Sequence, residues 1–209
     1  MNAKKLSILL NMGIQPWQLK SKVASQIPNE KAWGSLRQCV MNCMACELHA
    51  ARTQTVFGVG NQNADIMFIG EAPGFYEDQK GEPFVGRAGQ LLNAMLEAIE
   101  LQRKEIYIAN ILKCRPPENR DPSPEEVKRC TPFLEQQIAL VKPRLLVALG
   151  RIAAHYLLDT KNSLSQLRGK VYSYANTPLV VTYHPAYLLR NPLDKAKAYM
   201  DLQQISCLG

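Results

Sequence analysis

The chain has 209 residues, enough for one α/β domain with a short appendage. Hydrophobic residues make up 46% of it, but no apolar run approaches the roughly 20 residues of a membrane-spanning helix. The net charge of +7 fits an acidic partner such as nucleic acid, although the excess lies near one end. Residues 1–38 hold six basic residues and one acidic residue, whereas residues 39–209 hold nineteen and seventeen. We therefore expect a basic extension over residues 1–38 and one folded domain over residues 39–209.

Strand and helix patterns alternate along the chain from residue 65 onward. Short apolar runs predict strands at residues 65–70, 106–110, 144–149 and 178–182. Helical spacing and a capping box at Ser123 predict helices at residues 88–100, from 123 onward, 151–158 and 192–205. Pro132 should kink or restart the second of these helices. This alternation implies a parallel sheet with helices on both faces, whose ligands bind beyond the carboxyl ends of the strands.

Three polar residues stand where predicted strands end. Glu71 follows the first strand, Asn110 closes the second and His184 follows the fourth. Alone, each has a structural explanation, since a glutamate can cap a helix, an asparagine can close a turn and a single histidine is often structural. Because the carboxyl ends of parallel strands meet at one edge, we expect these three side chains to converge in a site.

Four cysteines form a pattern typical of a metal site. Cys43 and Cys46 form a C-x-x-C pair, and Cys114 and Cys130 lie around a basic, proline-rich loop. The first residues lack a signal-peptide pattern, so we expect a cytoplasmic protein, associated with the nucleoid of a bacterium. In that compartment such cysteines bind a metal more often than they form disulfides, and they suit an iron–sulfur cluster or a structural zinc. We interpret the remaining two as small buried hydrophobic residues: Cys39 and Cys207.

Four longer motifs follow one another along the chain. They are residues 70–74 (GEAPG), 81–89 (GEPFVGRAG), 113–117 (KCRPP) and 184–190 (HPAYLLR). Together they resemble the motifs of the family-4 uracil-DNA glycosylases, and the four cysteines match that family's [4Fe–4S] ligands in order and spacing. The resemblance covers about residues 39–206. It implies a three-layer α/β/α fold with a short central parallel sheet, and hydrolysis of the N-glycosidic bond of deoxyuridine in single- or double-stranded DNA.

The resemblance assigns a uracil-binding role to several residues. Asn110 resembles the residue that reads the base, because a carboxamide can accept from N3–H and donate to O4 while cytosine offers the opposite pattern. Phe84 resembles the residue that stacks on uracil, and Glu77 lies where the family has a side chain near C5. The backbone is expected to line the pocket at Glu71, Ala72 and Pro73.

His184 and Glu71 are the expected catalytic residues. Cleavage leaves a uracil anion whose charge builds on O2, so a donor at His184 would stabilise the transition state more than the ground state. The best-known uracil-DNA glycosylases carry an aspartate that orients the attacking water, where this chain has Ala72. Glu71 is the nearest carboxylate and is our candidate for that role.

The remaining site residues are expected to contact the DNA strand. Leu188 or Leu189 is expected to wedge into the gap that the flipped nucleotide leaves. Polar contacts to the strand, which position a protein without reading sequence, are expected from Arg115, Asn119, Arg120 and Arg190.

Two further hypotheses concern partners and function. Residues 9–20 weakly resemble the start of the psi subunit of the bacterial replicative polymerase, so residues 1–38 are a candidate docking segment for the clamp loader. Alternatively, they form a basic tail with weak attraction to DNA. We expect the protein to be a monomer.

A rival function is a non-catalytic or covalent iron–sulfur sensor of uracil-containing DNA. The relative that binds uracil DNA covalently does so through a histidine in an extra loop, and residues 111–124 of this chain contain no histidine.

Overall fold

A computed structural model describes residues 26–208. Residues 33–209 form one compact unit, which contains the sheet and the helices from α2 onward. The helices are α1 (Gln26–Met41), α2 (Leu48–Ala51), α3 (Phe75–Lys80), α4 (Arg87–Glu97), α5 (Pro124–Val141), α6 (Arg151–Leu158), α7 (Leu164–Leu167), α8 (Pro185–Arg190) and α9 (Lys195–Leu208). The strands are β1 (Val59–Gly60), β2 (Ile66–Gly70), β3 (Tyr107–Asn110), β4 (Leu145–Leu149), β5 (Val171–Tyr174) and β6 (Thr177–Thr182).

The strands form one mixed sheet in the order β1-β3-β2-β4-β6-β5. The four central strands are parallel, whereas β1 and β5 pair antiparallel at the two edges. All four strands predicted from sequence are therefore present, and they are the parallel ones. The edge strands give a weaker signal, because β1 has only two residues and β5 has no buried residue.

Alternating side chains of the central strands separate the core into two apolar clusters. On β2, Met67 and Ile69 belong to one cluster, and Ile66 and Phe68 belong to the other. Buried residues of α1, α5 and α6 complete the first cluster, and those of α4, α8 and α9 complete the second. The protein thus has the expected three-layer α/β/α fold, with helices covering both faces of the sheet.

Helix α5 continues through Pro132. It runs from Pro124 to Val141 as one helix, so the expected restart is wrong, and the kink expected as its alternative stays a prediction. Its capping box forms as expected, with Ser123 Oγ accepting from Glu126 N at 3.2 Å and the Glu126 carboxylate accepting from Ser123 N at 2.8 Å. Buried residues beyond the proline hold this helix against the sheet, which outweighs the local propensity: Leu134, Ile138 and Val141.

The N-terminal predictions fall largely outside the described residues. The docking motif at residues 9–20 is among them, and it stays a prediction, as does the boundary after residue 38. Trp33 and Leu36, within the predicted extension, are buried in the first apolar cluster.

The interpretation of Cys39 and Cys207 as buried is wrong, since both are exposed. None of the helices in residues 26–208 combines the length and apolar character needed to cross a membrane.

Candidate active site

A pocket of about 460 Å³ opens at the carboxyl ends of the central strands. It lies at the end of β2, which has β3 on one side and β4 on the other. The chain passes from β2 to β3 and then crosses to β4, so the strand order reverses here, and such a reversal is where open α/β sheets bind ligands. The structure brings ten of the residues expected from sequence into its lining: Glu71, Ala72, Pro73, Glu77, Phe84, Asn110, Asn119, Arg120, His184 and Arg190. The parallel sheet therefore assembles side chains that are far apart along the chain.

Asn110, the last residue of β3, presents an unsatisfied acceptor. It is only 2% exposed, and its Oδ1 is one of two buried side-chain atoms that lack a hydrogen-bond partner among the described residues. A Cβ at Gly70 would lie 2.3 Å from this oxygen and 2.8 Å from the Phe84 ring, so glycine is required there. An unsatisfied buried acceptor costs about 1–3 kcal/mol. The oxygen is thus suited to an N–H donor on a bound molecule.

Phe84 is held in a strained backbone conformation beside Asn110. Its φ of 54° lies in the left-handed region, which bulky residues rarely adopt. Arg103 stabilises this turn, because its guanidinium donates to the carbonyl of Phe84 at 3.1 Å and also to that of Pro83. The Phe84 ring lies 5.5 Å from the His184 ring, tilted by 32°. Sequence reasoning missed Arg103, which lies in a polar stretch without a motif.

Glu77 holds the other side of the same turn. Its Oε1 accepts from the backbone N–H groups of Val85 at 2.9 Å and Gly86 at 3.0 Å. Glu77 therefore both lines the pocket and fixes the loop that carries Phe84. The expected position of Glu77 near C5 of the base stays a prediction, and no sequence pattern indicated its contact with the loop.

His184 caps the N-terminus of α8 and is neutral near pH 7. Its Nδ1 accepts from Ala186 N at 3.1 Å, so the proton of the neutral ring lies on Nε2. Desolvation and, to a smaller extent, the positive charge of Arg190 lower its pKa to about 4, and the negative charge of Glu77 opposes both. A neutral imidazole with a donor at Nε2 can stabilise a developing oxyanion without first being protonated.

Glu71 titrates close to neutral pH. Desolvation and the nearby charge of Asp121 raise the pKa of this carboxyl to about 7, and Arg151 opposes the rise. Arg151 and Asp121 form an exposed ion pair, with Nη2 and Oδ2 3.0 Å apart, that lines the same pocket. Glu71 can therefore exchange a proton in the physiological range, which suits a residue that handles water.

The three arginines expected to contact DNA differ in the hydrogen bonds that they make within the protein. Arg120 donates to both carboxylate oxygens of Glu126, at 2.9 and 2.6 Å, which offsets its charge. Arg115 lies beside the pocket and donates through Nε to Asn119 Oδ1 at 2.8 Å. Arg190 lines the pocket, and its side chain is exposed at the end of α8.

The two leucines of the predicted wedge have opposite environments. Leu188 is 1% exposed and packs in the second apolar cluster, so it cannot reach DNA without leaving the core. Its prediction as a DNA contact is wrong for that reason. Leu189 is 38% exposed and remains the candidate wedge.

The four predicted metal ligands line a second, much smaller cavity. Cys43 and Cys46 follow α1, while Cys114 and Cys130 approach from the loop after β3 and from α5. Arg52 ties the two pairs together, because Nη1 donates to the carbonyl of Cys43 at 2.8 Å and to Sγ of Cys114 at 3.2 Å. The four cysteines, which are distant in sequence, therefore line one cavity.

The surroundings of this cavity fit thiolate ligands. Lys113 N donates to Cys130 Sγ at 3.2 Å, and no carboxylate lies among the lining residues that the structure describes. Burial raises the pKa of the Cys130 thiol to about 12, so a metal must displace that proton. Within residues 26–208, no three His, Cys, Asp or Glu side chains lie close enough to hold a single metal ion. The donor set, four cysteine sulfurs without a carboxylate, is of the type that iron–sulfur clusters use.

Comparison with known proteins agrees with this architecture. Residues 57–203 match the model of the uracil DNA glycosylase superfamily. The type-4 uracil-DNA glycosylase of Archaeoglobus fulgidus is 44% identical over 174 residues, covering 79% of this chain and 87% of that protein. The type-4 enzyme of Thermotoga maritima is 46% identical over 154 residues, covering 73% and 80%. The chain belongs to the uracil-DNA glycosylase superfamily and, within it, to the type-4 family.

Proposed function

We propose that the protein removes uracil from DNA by hydrolysing the N-glycosidic bond, which leaves an abasic site for base excision repair. The observation that carries this proposal is the buried, unsatisfied Oδ1 of Asn110, a residue that lines the pocket. The N3–H group of uracil can donate a hydrogen bond to this oxygen, whereas N3 of cytosine has no hydrogen and is itself an acceptor. The type-4 relatives, named for uracil in DNA, support the same substrate.

The other pocket residues supply the remaining requirements of the reaction. A flipped uracil stacks on Phe84, next to His184, whose Nε2–H donates to O2 as the bond to N1 breaks. The electron pair of the broken bond leaves with uracil as an anion. Glu71 orients a water whose oxygen bonds to C1′ of the sugar, and its carboxylate takes up the water proton.

The function is tested by excision from a single-stranded oligonucleotide with one uracil, supplied in excess over the protein. After alkali treatment, strand cleavage at the uracil position should exceed one equivalent per protein. The same strand with thymine in place of uracil serves as the control and should stay intact. A heat-stable shifted band, or a reversible shift without cleavage, would contradict turnover and support the covalent or non-catalytic sensor.

We propose that Cys43, Cys46, Cys114 and Cys130 hold a [4Fe–4S] cluster. The donor set supports this assignment, as do the N–H groups directed at the sulfurs and the cations Arg52 and Lys113 beside them. When bound, the cluster supplies a rigid cross-link between the start of the domain and the loop after β3. That loop reaches the pocket through Asn119 and Arg120.

Iron and sulfide analysis of anaerobically purified protein tests the cluster. About four irons per chain are expected. Cys114→Ala should lose iron and thermal stability together, whereas the exposed Cys207→Ala should retain both. Stoichiometric zinc without iron in freshly made protein would contradict the assignment.

A further inference from the structure

We infer that Phe75 and Tyr76 form a stacking platform for a nucleobase next to the uracil in single-stranded DNA. This inference rests on the proposed function. The two residues begin α3 and lie in sequence between two residues that line the pocket, Gly74 and Glu77. Phe75 is 50% exposed and Tyr76 is 59% exposed. The platform therefore borders the site from which a flipped uracil must enter.

The protein supports each ring from one side. The Arg115 guanidinium lies 5.1 Å from the centre of the Phe75 ring. The Tyr76 ring packs against Gly86, where an added Cβ would lie 3.2 Å from Cδ2. The rings also meet edge to face, with centres 5.5 Å apart and planes at 82°. Rings that are fixed by such contacts lose little freedom on binding, which suits stacking.

The exposure of these rings is unusual within this molecule. Among the residues that the structure describes, large exposed aromatic side chains occur at three positions, and the third, Tyr199, lies on α9. Aromatic side chains stabilise a fold mainly when they are buried in its core. The exposed faces of these two rings are therefore not explained by folding. An adjacent, half-exposed pair beside the pocket thus indicates a ligand with flat faces.

The charge around the platform identifies that ligand as nucleic acid. Arg115 links the platform to the pocket, because it contacts Phe75 and donates to Asn119, which lines the pocket. Aromatic rings next to a cation that can bind phosphate are the combination that single-stranded nucleic acids stack upon. In a duplex the neighbouring bases are stacked on each other, so a base splayed from a single strand is the expected occupant.

Binding of a single-stranded oligonucleotide containing 2′-fluoro-2′-deoxyuridine, whose fluorine slows cleavage, tests the platform by fluorescence anisotropy at fixed salt. The double variant Phe75→Ala/Tyr76→Ala should bind about tenfold more weakly, the loss typical of one stacked base. The matched control Tyr199→Ala should bind normally. Phe75→Trp should also retain affinity, because indole supplies a larger stacking face.

A second oligonucleotide with abasic spacers on both sides of the fluorinated nucleotide isolates stacking. On it, the wild type and the double variant should bind equally, because the base that stacks is missing. If the double variant loses the same affinity for both oligonucleotides, or loses none for either, the proposed platform is wrong. Thermal unfolding checks that the variants fold, and the Phe75→Trp variant keeps the test valid if the double variant does not. Uracil excision by the wild-type protein separates the two proposals. If the wild type does not excise uracil, the proposed function is wrong. If it does, the binding data test the platform alone.

Discussion

The floor and the mouth of the pocket are built differently. Floor residues Phe84, Asn110 and His184 are each fixed by a backbone contact or a strand end, and the pocket excludes solvent enough to shift the pKa of His184. Mouth residues such as Asn119 and Arg190 are exposed on loops or at a helix end. Rigid, desolvated groups suit transition-state stabilisation, while exposed cations suit contacts to the phosphate backbone. Substitutions at the floor should therefore change the chemical step, and those at the mouth should change affinity.

The largest effect is expected at Asn110. Asn110→Asp should lower single-turnover excision of uracil by roughly 10⁴-fold, since a site built to pair with the base then repels O4. A carboxylate accepts from the amino group of cytosine, so release of cytosine should become measurable. Rates on matched strands with uracil or cytosine check this, with Asn119→Asp at the mouth as control. Near-normal uracil excision by Asn110→Asp would remove Asn110 from the role of reader.

His184→Ala should lower the single-turnover rate by roughly 10²- to 10³-fold, the usual loss for one oxyanion donor. DNA affinity at fixed salt should change little, because the charge that His184 meets exists only near the transition state. The two quantities are measured separately by rapid quench and by anisotropy. A variant that binds weakly but cleaves at the normal rate would assign His184 to binding instead.

The pH dependence should follow Glu71. If its carboxylate orients water, the chemical rate falls as the pH drops through about 7, where Glu71 becomes protonated. Asp121→Asn removes a negative charge, which lowers the pKa of Glu71 and moves this limb to lower pH. Arg151→Gln removes a positive charge and should move it to higher pH. Single-turnover rates between pH 5 and 9 measure the limb; shifts in the same direction for both variants would contradict this account.

The smallest effect is expected at the mouth. Arg190→Gln should weaken binding similarly for all sequences and reduce the slope of log affinity against log salt by about 1. Arg120→Gln should change the slope less, because Glu126 already engages both of its terminal nitrogens. Anisotropy titrations over a salt series compare the two variants. An equal or larger change at Arg120 would show that its ion pair opens on DNA.

The sequence predicted the parts of the molecule that local patterns determine. The four central strands are continuous apolar runs, and Glu71, Asn110 and His184 converge because parallel strands end at one edge. Motif resemblance supplied the expected roles of these residues, which stay predictions. The four cysteines line one small cavity, and their role as metal ligands stays a prediction.

Contacts that depend on tertiary packing could not be predicted in the same way. Arg103 supports Phe84 across 19 residues, and no motif marks it. The burial of Leu188 and the exposure of Leu189 follow from the face that α8 turns to the core, and a six-residue helix gives little periodic signal. Pro132 lies within a continuous helix because buried neighbours outweigh its local preference. Edge strands lack the apolar runs that identify central ones.

Competition by free bases tests most directly whether Asn110 Oδ1 reads N3–H of uracil. Uracil and 1-methyluracil retain this donor, so both should inhibit excision by the wild-type protein, whereas 3-methyluracil lacks it and should inhibit much more weakly. The Asn110→Ala variant lacks the side-chain oxygen that would accept a hydrogen bond from N3–H. Uracil and 3-methyluracil should therefore inhibit this variant to a similar degree. Equal inhibition of the wild type by all three bases would contradict the account.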